Sequence, residues 1–287
     1  VKGYHDIVGD GGSDVAGQVV AKRNKIAASL AGVRHTVAIG SGKGGVGKST
    51  LTMQLASALR VTGASVAVLD ADLNGPSQAR LAGLSATTLV PGPGGLVMPR
   101  TKSGVGVVSM GLVVPESKAL DFESVADHDS YFWRATREFS LLGDLLAGVA
   151  WGSLDFLLVD LPPGAERTVQ YAEFLGPGAR LVLVTVPSDV SRGVVSRSIA
   201  ALAKAPNRVL GCVENMKGYA CSGCGTVRPL FPESGSVDLG IPLLGSVPFD
   251  PALAAACDRG ELPEASSPAW KAIRALAETI RHSLEVP

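Results

Sequence analysis

Along the chain, apolar and polar positions fall into two regimes that meet near residue 35. Residues 1–34 read as an N-terminal arm. Gly9 to Ser13 is polar and glycine-rich, and 15–31 predicts a helix with Val19, Val20, Ile26, Ala27 and Leu30 apolar and Lys22, Arg23 and Lys25 basic. From residue 36 onward, short apolar runs alternate with stretches whose apolar residues recur at helical spacing. The runs at 36–39, 65–69, 155–160, 180–186, 208–213 and 242–247 predict buried strands. The stretches at 48–61, 132–149, 190–204, 251–258 and 268–284 predict helices. Leu51, Leu55, Ala58 and Leu59 mark one face of the first of these, which stops before Gly63, a helix-ending residue. Residues 91–112 are rich in Gly and Pro, and their two short runs, 96–98 and 105–110, predict a hairpin. Residues 113–131 have weak periodicity and read as a loop. Strands alternating with helices predict an α/β domain over 35–287, its mostly parallel sheet covered by helices on both faces.

Composition narrows the class. Hydrophobic residues make up 46% of 287, so a large core is available. Lys+Arg 26 against Asp+Glu 26 argues against a strongly basic nucleic-acid binder, and no nucleic acid is expected as partner. No apolar run approaches the ~20 residues that span a bilayer, and the N-terminus lacks the layout of a secretory signal. A cytoplasmic protein without stable membrane insertion is therefore expected. The chain begins at Val1 rather than Met, which leaves room for an upstream segment. Four cysteines in this length make no disulfide framework.

The chemistry concentrates in residues 40–50. Gly42 to Ser49 fits G-x-x-x-x-G-K-[ST], directly after a strand and opening a helix. Wrapping an anionic polyphosphate with backbone N–H groups requires that bulky side chains be absent, and Gly42, Gly44, Gly45 and Gly47 leave that room. The helix N-terminus that follows favours negative charge. In such a loop Lys48 reaches the β- and γ-phosphates and the Ser49 hydroxyl ligates Mg²⁺. Asp160 ends the strand 155–160 just before Pro162-Pro163-Gly164, the place for a carboxylate that serves Mg²⁺ or Ser49. Asp70-Ala71-Asp72 ends another strand at the same edge, where ligands bind in this architecture.

Cys221-Ser222-Gly223-Cys224-Gly225 places two thiols in a tight turn. Two thiolates complete neither a zinc site nor a 4Fe–4S cluster, each of which needs four ligands. Cys212 and Cys257 are isolated and read as buried small hydrophobes, and His5, His35, His128 and His282 show no ligand spacing. A two-fold axis would supply four cysteines from two subunits. A shared cluster, a zinc knuckle and a redox dithiol all remain open on spacing alone.

The string Gly42-Lys43-Gly44-Gly45-Val46-Gly47-Lys48-Ser49-Thr50, with its second lysine at Lys43, resembles the deviant Walker A (SIMIBI) class of P-loop ATPases. Further motifs in order resemble the Mrp/ApbC-type iron–sulfur carriers of that class. They are Asp70-Ala71-Asp72 with Gly75-Pro76-Ser77, Asp160-Leu161-Pro162-Pro163-Gly164, Val213-Glu214-Asn215-Met216, Cys221 to Gly225, and Leu244-Gly245-Ser246-Val247-Pro248 with Asp250-Pro251. The resemblance runs from about residue 33 to 260 and implies a three-layer P-loop NTPase fold. It implies a slow ATPase, coupled to delivery of a 4Fe–4S cluster that a homodimer bridges through Cys221 and Cys224. ATP and Mg²⁺ would be cofactors, and the partners would be client apo iron–sulfur proteins and a cluster donor. Gly42 to Thr50 would hold the phosphates, with Ser49 and Asp160 serving Mg²⁺. Lys48 would act in cis and Lys43 across the dimer, while Asp72 would orient or deprotonate the attacking water. Asn215, Pro248 and Asp250 would contact adenine.

The chain departs from that pattern after Pro162-Pro163-Gly164, where Ala165-Glu166-Arg167 replaces T-G-D. Trp133 to Arg137 and Val186 to Asp189 also differ from the usual W-R-G-P-M and T-P-Q-D. The alternative is a MinD/ParA-like positioning ATPase. Its discriminator is an amphipathic membrane helix, for which Trp270, Ile273, Ala277, Ile280 and Leu284 form a candidate stripe that a core-packed helix explains equally.

Overall fold

The computed structural model describes residues 15–113, 131–203, 205–231 and 240–285. The helices are α1 (Val15–Ser29), α2 (Lys48–Val61), α3 (Gln78–Leu81), α4 (Tyr131–Gly148), α5 (Ala165–Leu175), α6 (Asp189–Leu202), α7 (Pro251–Asp258) and α8 (Pro268–Glu285). The strands are β1 (Val33–Ser41), β2 (Val66–Asp70), β3 (Val90–Gly92), β4 (Gly95–Val97), β5 (Gly106–Val108), β6 (Leu154–Asp160), β7 (Arg180–Thr185), β8 (Val209–Ala220), β9 (Val227–Pro229) and β10 (Leu243–Phe249).

The main sheet has the order β10-β8-β7-β1-β6-β2-β5, all parallel, with β9 antiparallel on β8. Strands with two buried faces read as continuous apolar runs whose alternate residues serve opposite cores. In β6, Phe156 and Leu158 join the core under α2, α7 and α8, whereas Leu157 and Val159 join the core under α1, α4 and α5. β2 divides in the same way, with Val66 and Val68 on one side and Ala67 and Leu69 on the other. Helices therefore cover both faces, and the fold is the expected three-layer α/β architecture. The chain leaves central β1 at its carboxyl end, forms the glycine loop, and crosses over β6 to reach β2. That edge is the topological switch point, where ligands bind.

Two local expectations change. The hairpin expected of 96–98 and 105–110 is reduced to a short antiparallel return of Pro99 to Thr101 on Val105 to Val107. β4 pairs antiparallel with β3, through a turn at Gly94 (φ +82°), while β5 joins the main sheet beside β2. Gly106, Val107 and Val108 are fully apolar and buried, so they complete the sheet edge rather than fold over β4. The strand predicted at 208–213 extends to Ala220, and β9 returns along it. The loop expected over 113–131 lies, from 114 to 130, outside the described residues.

The final helix answers the question its stripe posed. Trp270, Ile273, Ala277 and Ile280 are buried in the core beside α2 and β10, so the stripe is a packing face. Among the described residues no helix is long and apolar enough to cross a membrane.

Candidate functional site

Ser41 and Lys43 to Thr50 border a cleft of about 400 Å³ at the carboxyl edge of the sheet, opposite Asp72, Gly75, Ser77, Arg80 and Pro163. Gly47 ends the loop at φ +77°, and an added Cβ there would collide with the Asn215 amide. The position thus excludes any side chain for two reasons, backbone conformation and space. At Gly45 (φ +75°) an added Cβ would meet nothing within 4 Å, because the loop backbone faces open space. An uncluttered, amide-lined concavity before a helix N-terminus fits a polyphosphate.

Beneath the loop lies a buried polar cluster. Lys48 is ion-paired with Asp160 rather than extended into the cleft. The carboxylate is fully buried, and its second oxygen accepts a 2.8 Å hydrogen bond from Gln78 Nε2. The same amide donates to the Ser49 carbonyl at 3.0 Å, so one side chain ties the loop to the end of β6. Gln78 Oε1 is buried without a partner among the described residues. An unpaired acceptor beside Asp160 and Ser49 is what a hydrated Mg²⁺ would satisfy, so the residues present fit that ion.

The motif Asp70-Ala71-Asp72 gives Asp70 no role of its own, yet it is central here. It pairs in register with Asp160 across β2 and β6, and both are fully buried. It accepts from the Ser77 and Gln78 amides at 2.9 Å each and from the Ser109 hydroxyl at 3.0 Å. Burial, and then the Asp160 charge, push its carboxyl up to about 7. Asp70 thereby anchors the turn that carries Asp72. Asp72 is half-buried and borders the cleft, with its Oδ1 accepting from the Gly75 amide at 3.2 Å. Lys43 borders the same cleft, and no described carboxylate pairs with it.

The residues expected at adenine are placed differently from one another. Asn215 lies within β8, and its amide donates to the Val46 carbonyl of the glycine loop at 2.8 Å. Its neighbour Met216 has φ +56°, an uncommon conformation for a side-chain-bearing residue. Pro248 is half-buried near the end of β10. Asp250 caps α7 through the Ala252 amide at 2.9 Å and accepts from Ser267 Oγ at 2.6 Å at the start of α8. Both its carboxylate oxygens are engaged, and its carbonyl accepts from the Ala254 amide at 3.1 Å.

Cys221 and Cys224 form the turn between β8 and β9. The Gly225 amide donates to the Cys221 carbonyl at 2.8 Å, and Gly225 takes φ +69° to close the turn. Cys224 is exposed, and its Sγ lies 3.4 Å from the Thr226 hydroxyl. That hydroxyl, with the Thr226 backbone and Cys221, pulls the Cys224 thiol down from its ordinary value. Cys212 and Cys257 are buried in the two separate cores, and burial pushes both thiols up. Among the described residues no group of three or more potential metal ligands gathers within the chain.

A family described as NUBPL iron-transfer P-loop NTPase, within the ParA group, matches residues 32–281. The cytosolic Fe-S cluster assembly factor NUBP2 of Gallus gallus is 37% identical over 278 residues, covering 92% of this chain and 96% of its own. The iron-sulfur cluster carrier protein of Methanocaldococcus jannaschii is 34% identical over 241 residues, covering 82% of this chain and 80% of its own. A solved nucleotide-binding protein of Archaeoglobus fulgidus, in complex with ADP, superimposes with a TM-score of 0.70 at 30% identity, covering 86% of this chain and 95% of that one.

Proposed function

This chain belongs to the family of iron-transfer P-loop NTPases, and from that premise we propose that it is a cytosolic iron–sulfur cluster carrier. It binds and slowly hydrolyses Mg·ATP, bridges a 4Fe–4S cluster across a homodimer through Cys221 and Cys224, and delivers the cluster to apoproteins after loading from a donor. The observation that carries the reading is the path of β8. One strand holds Asn215 on the phosphate-loop carbonyl of Val46 and runs directly into the exposed cysteine turn. Only five residues, Met216 to Ala220, lie between Asn215 and Cys221, so the two sites are at most about 20 Å apart along the strand.

The buried Lys48–Asp160 pair puts a cation and a carboxylate where nucleotide and metal would bind. A triphosphate would draw on the Lys48 ammonium, and Asp160, Ser49 and Gln78 Oε1 are the groups that would hold Mg²⁺. That ion, when bound, supplies positive charge against the phosphate oxygens. Lys48 stabilises the charge that gathers on the γ-phosphoryl oxygens in the transition state. Asp72, held by the Asp70-anchored turn, orients or deprotonates the attacking water. Lys43 completes the site from the opposite subunit, so turnover depends on dimer geometry. The client meets the cluster at the two-fold axis, where the cysteine turns are exposed.

Two measurements on one preparation test this reading. The purified protein should hydrolyse ATP in a Mg²⁺-dependent manner, and it should take up iron and sulfide anaerobically with a visible absorption band. Hydrolysis without iron uptake would point instead to a positioning ATPase.

A further inference from the structure

Behind the two walls of the cleft sits a network that the phosphate chemistry does not use. Asn74 lies between Asp72 and Gly75, which border the cleft on one side. Arg167 lies one helical turn beyond Pro163, which borders it on the other. Both reach the same carboxylate on α4. Glu138 Oε1 accepts from Asn74 Nδ2 at 2.6 Å. Its Oε2 accepts from Arg167 and from the Tyr171 hydroxyl, the latter at 3.2 Å. Glu138 is only 8% exposed, so its ionised form depends on those donors.

The carboxylate is held in a fixed place by its helix. On the opposite side of α4, Lys22 of α1 donates to the Ser140 carbonyl at 2.7 Å and pairs with Asp144 at 2.9 Å. Gly143 gives it room, since an added Cβ would stand 2.6 Å from Lys22 Cε. The guanidinium, by contrast, uses only part of its fork. Among the described residues Arg167 Nε is buried with no partner, so the guanidinium keeps one donor unused.

We propose that Glu138 is a positioning residue for ATP turnover: it fixes the Asn74 segment and the Arg167 segment to one point, so that the two cleft walls move together. This inference rests on the ATPase reading above. Arg167, one of the positions where the chain departs from its resembled pattern, is here the charge that makes a buried Glu138 tenable. A ligand that shifts one wall changes the Glu138 hydrogen bonds and is felt at the other. Neither Asn74 nor Glu138 borders the phosphate loop, so nucleotide affinity should be largely independent of the link.

The test uses the full chain and three variants, Asn74→Ala, Glu138→Gln and the double variant. Asn74 is exposed, so its truncation leaves folding intact even where a change at Glu138 does not. Each single variant should lower kcat by about tenfold while ADP affinity stays within about twofold, and the double variant should be no worse than Glu138→Gln alone. Wild-type turnover in Asn74→Ala, losses that multiply in the double variant, or ADP affinity falling in step with kcat would each overturn the proposal. A wild-type protein that binds ADP but never hydrolyses ATP would overturn the ATPase reading itself, a result distinct from these.

Discussion

Lys48 and Asp160 form an ion pair that is almost wholly buried, with side-chain exposures of 6% and 0%. The lysine of the phosphate loop is therefore the counter-charge for the carboxylate at the end of β6. Removing it leaves two adjacent buried carboxylates, Asp160 and Asp70, without a cation. Lys48→Ala should abolish ADP binding and also destabilise the apo protein by about 3 kcal/mol. Thermal melting with and without ADP reads both effects. A variant as stable as wild type would mean that the pair contributes little.

Asp70 gives the protein a distinctive pH response. Its folded pKa of about 7 lies above the ordinary carboxylate value near ~3.9, so the folded state holds the extra proton between those limits. This group contributes stability at acid pH that is lost as pH rises through 7. His35 works in the opposite direction, because burial lowers its pKa from 6.5 and favours the neutral folded form as pH rises. Comparison with Asp70→Asn isolates the aspartate. Between pH 5 and 8 the melting temperature of wild type should fall relative to that of Asp70→Asn, and Mg·ADP should reduce the fall. Parallel curves would contradict the account.

Much of this was legible in the amino-acid order, for physical reasons. Gly42 to Ser49 is a backbone requirement written directly as residue identity, and helix 48–61 coincides with α2. Strands buried on both faces announce themselves as apolar runs. β8 does so only up to Val213, because Glu214, Asn215, Lys217 and Gly218 break its run where it leaves the core. α5 carries a weaker signal because Ala165 to Leu175 directly follows Pro-Pro-Gly and Glu166, Arg167, Gln170 and Glu173 interrupt its apolar positions. Gln78 and Glu138 carried no local signal, since their partners Asp160 and Asn74 are 82 and 64 residues away. Asp70 could have been found as the first acid of Asp70-Ala71-Asp72, at a strand end beside a phosphate loop.

Asp72 and Lys43 separate turnover from binding. Asp72→Ala should retain ADP affinity and lose most ATP hydrolysis, about 10²-fold or more. Lys43→Ala should also lose activity while keeping much of its affinity, because its charge is supplied across the dimer. Mixing Lys43→Ala with Lys48→Ala subunits should not restore full activity. Undiminished turnover in Asp72→Ala would remove that residue from the mechanism, and the same result in Lys43→Ala would make it an ordinary loop lysine.

The cysteines should differ in reactivity. Cys224 is exposed with its thiol pulled down, whereas Cys212 and Cys257 are buried with theirs pushed up. Alkylation of the metal-free native protein at neutral pH should modify Cys224 first, and Cys212 and Cys257 only on unfolding. Peptide mass spectrometry reads the order. Early modification of Cys212 would show that the core beneath β8 opens readily.

The central claim is a cluster shared between two chains. It is tested most directly by iron and sulfide content after anaerobic reconstitution, measured together with mass in solution for wild type, Cys221→Ala and Cys224→Ala. The account predicts about four Fe per dimer in wild type, and loss of both the iron and part of the dimer in either variant. Stoichiometric zinc that iron cannot replace, or a cluster that survives Cys224→Ala, would contradict it.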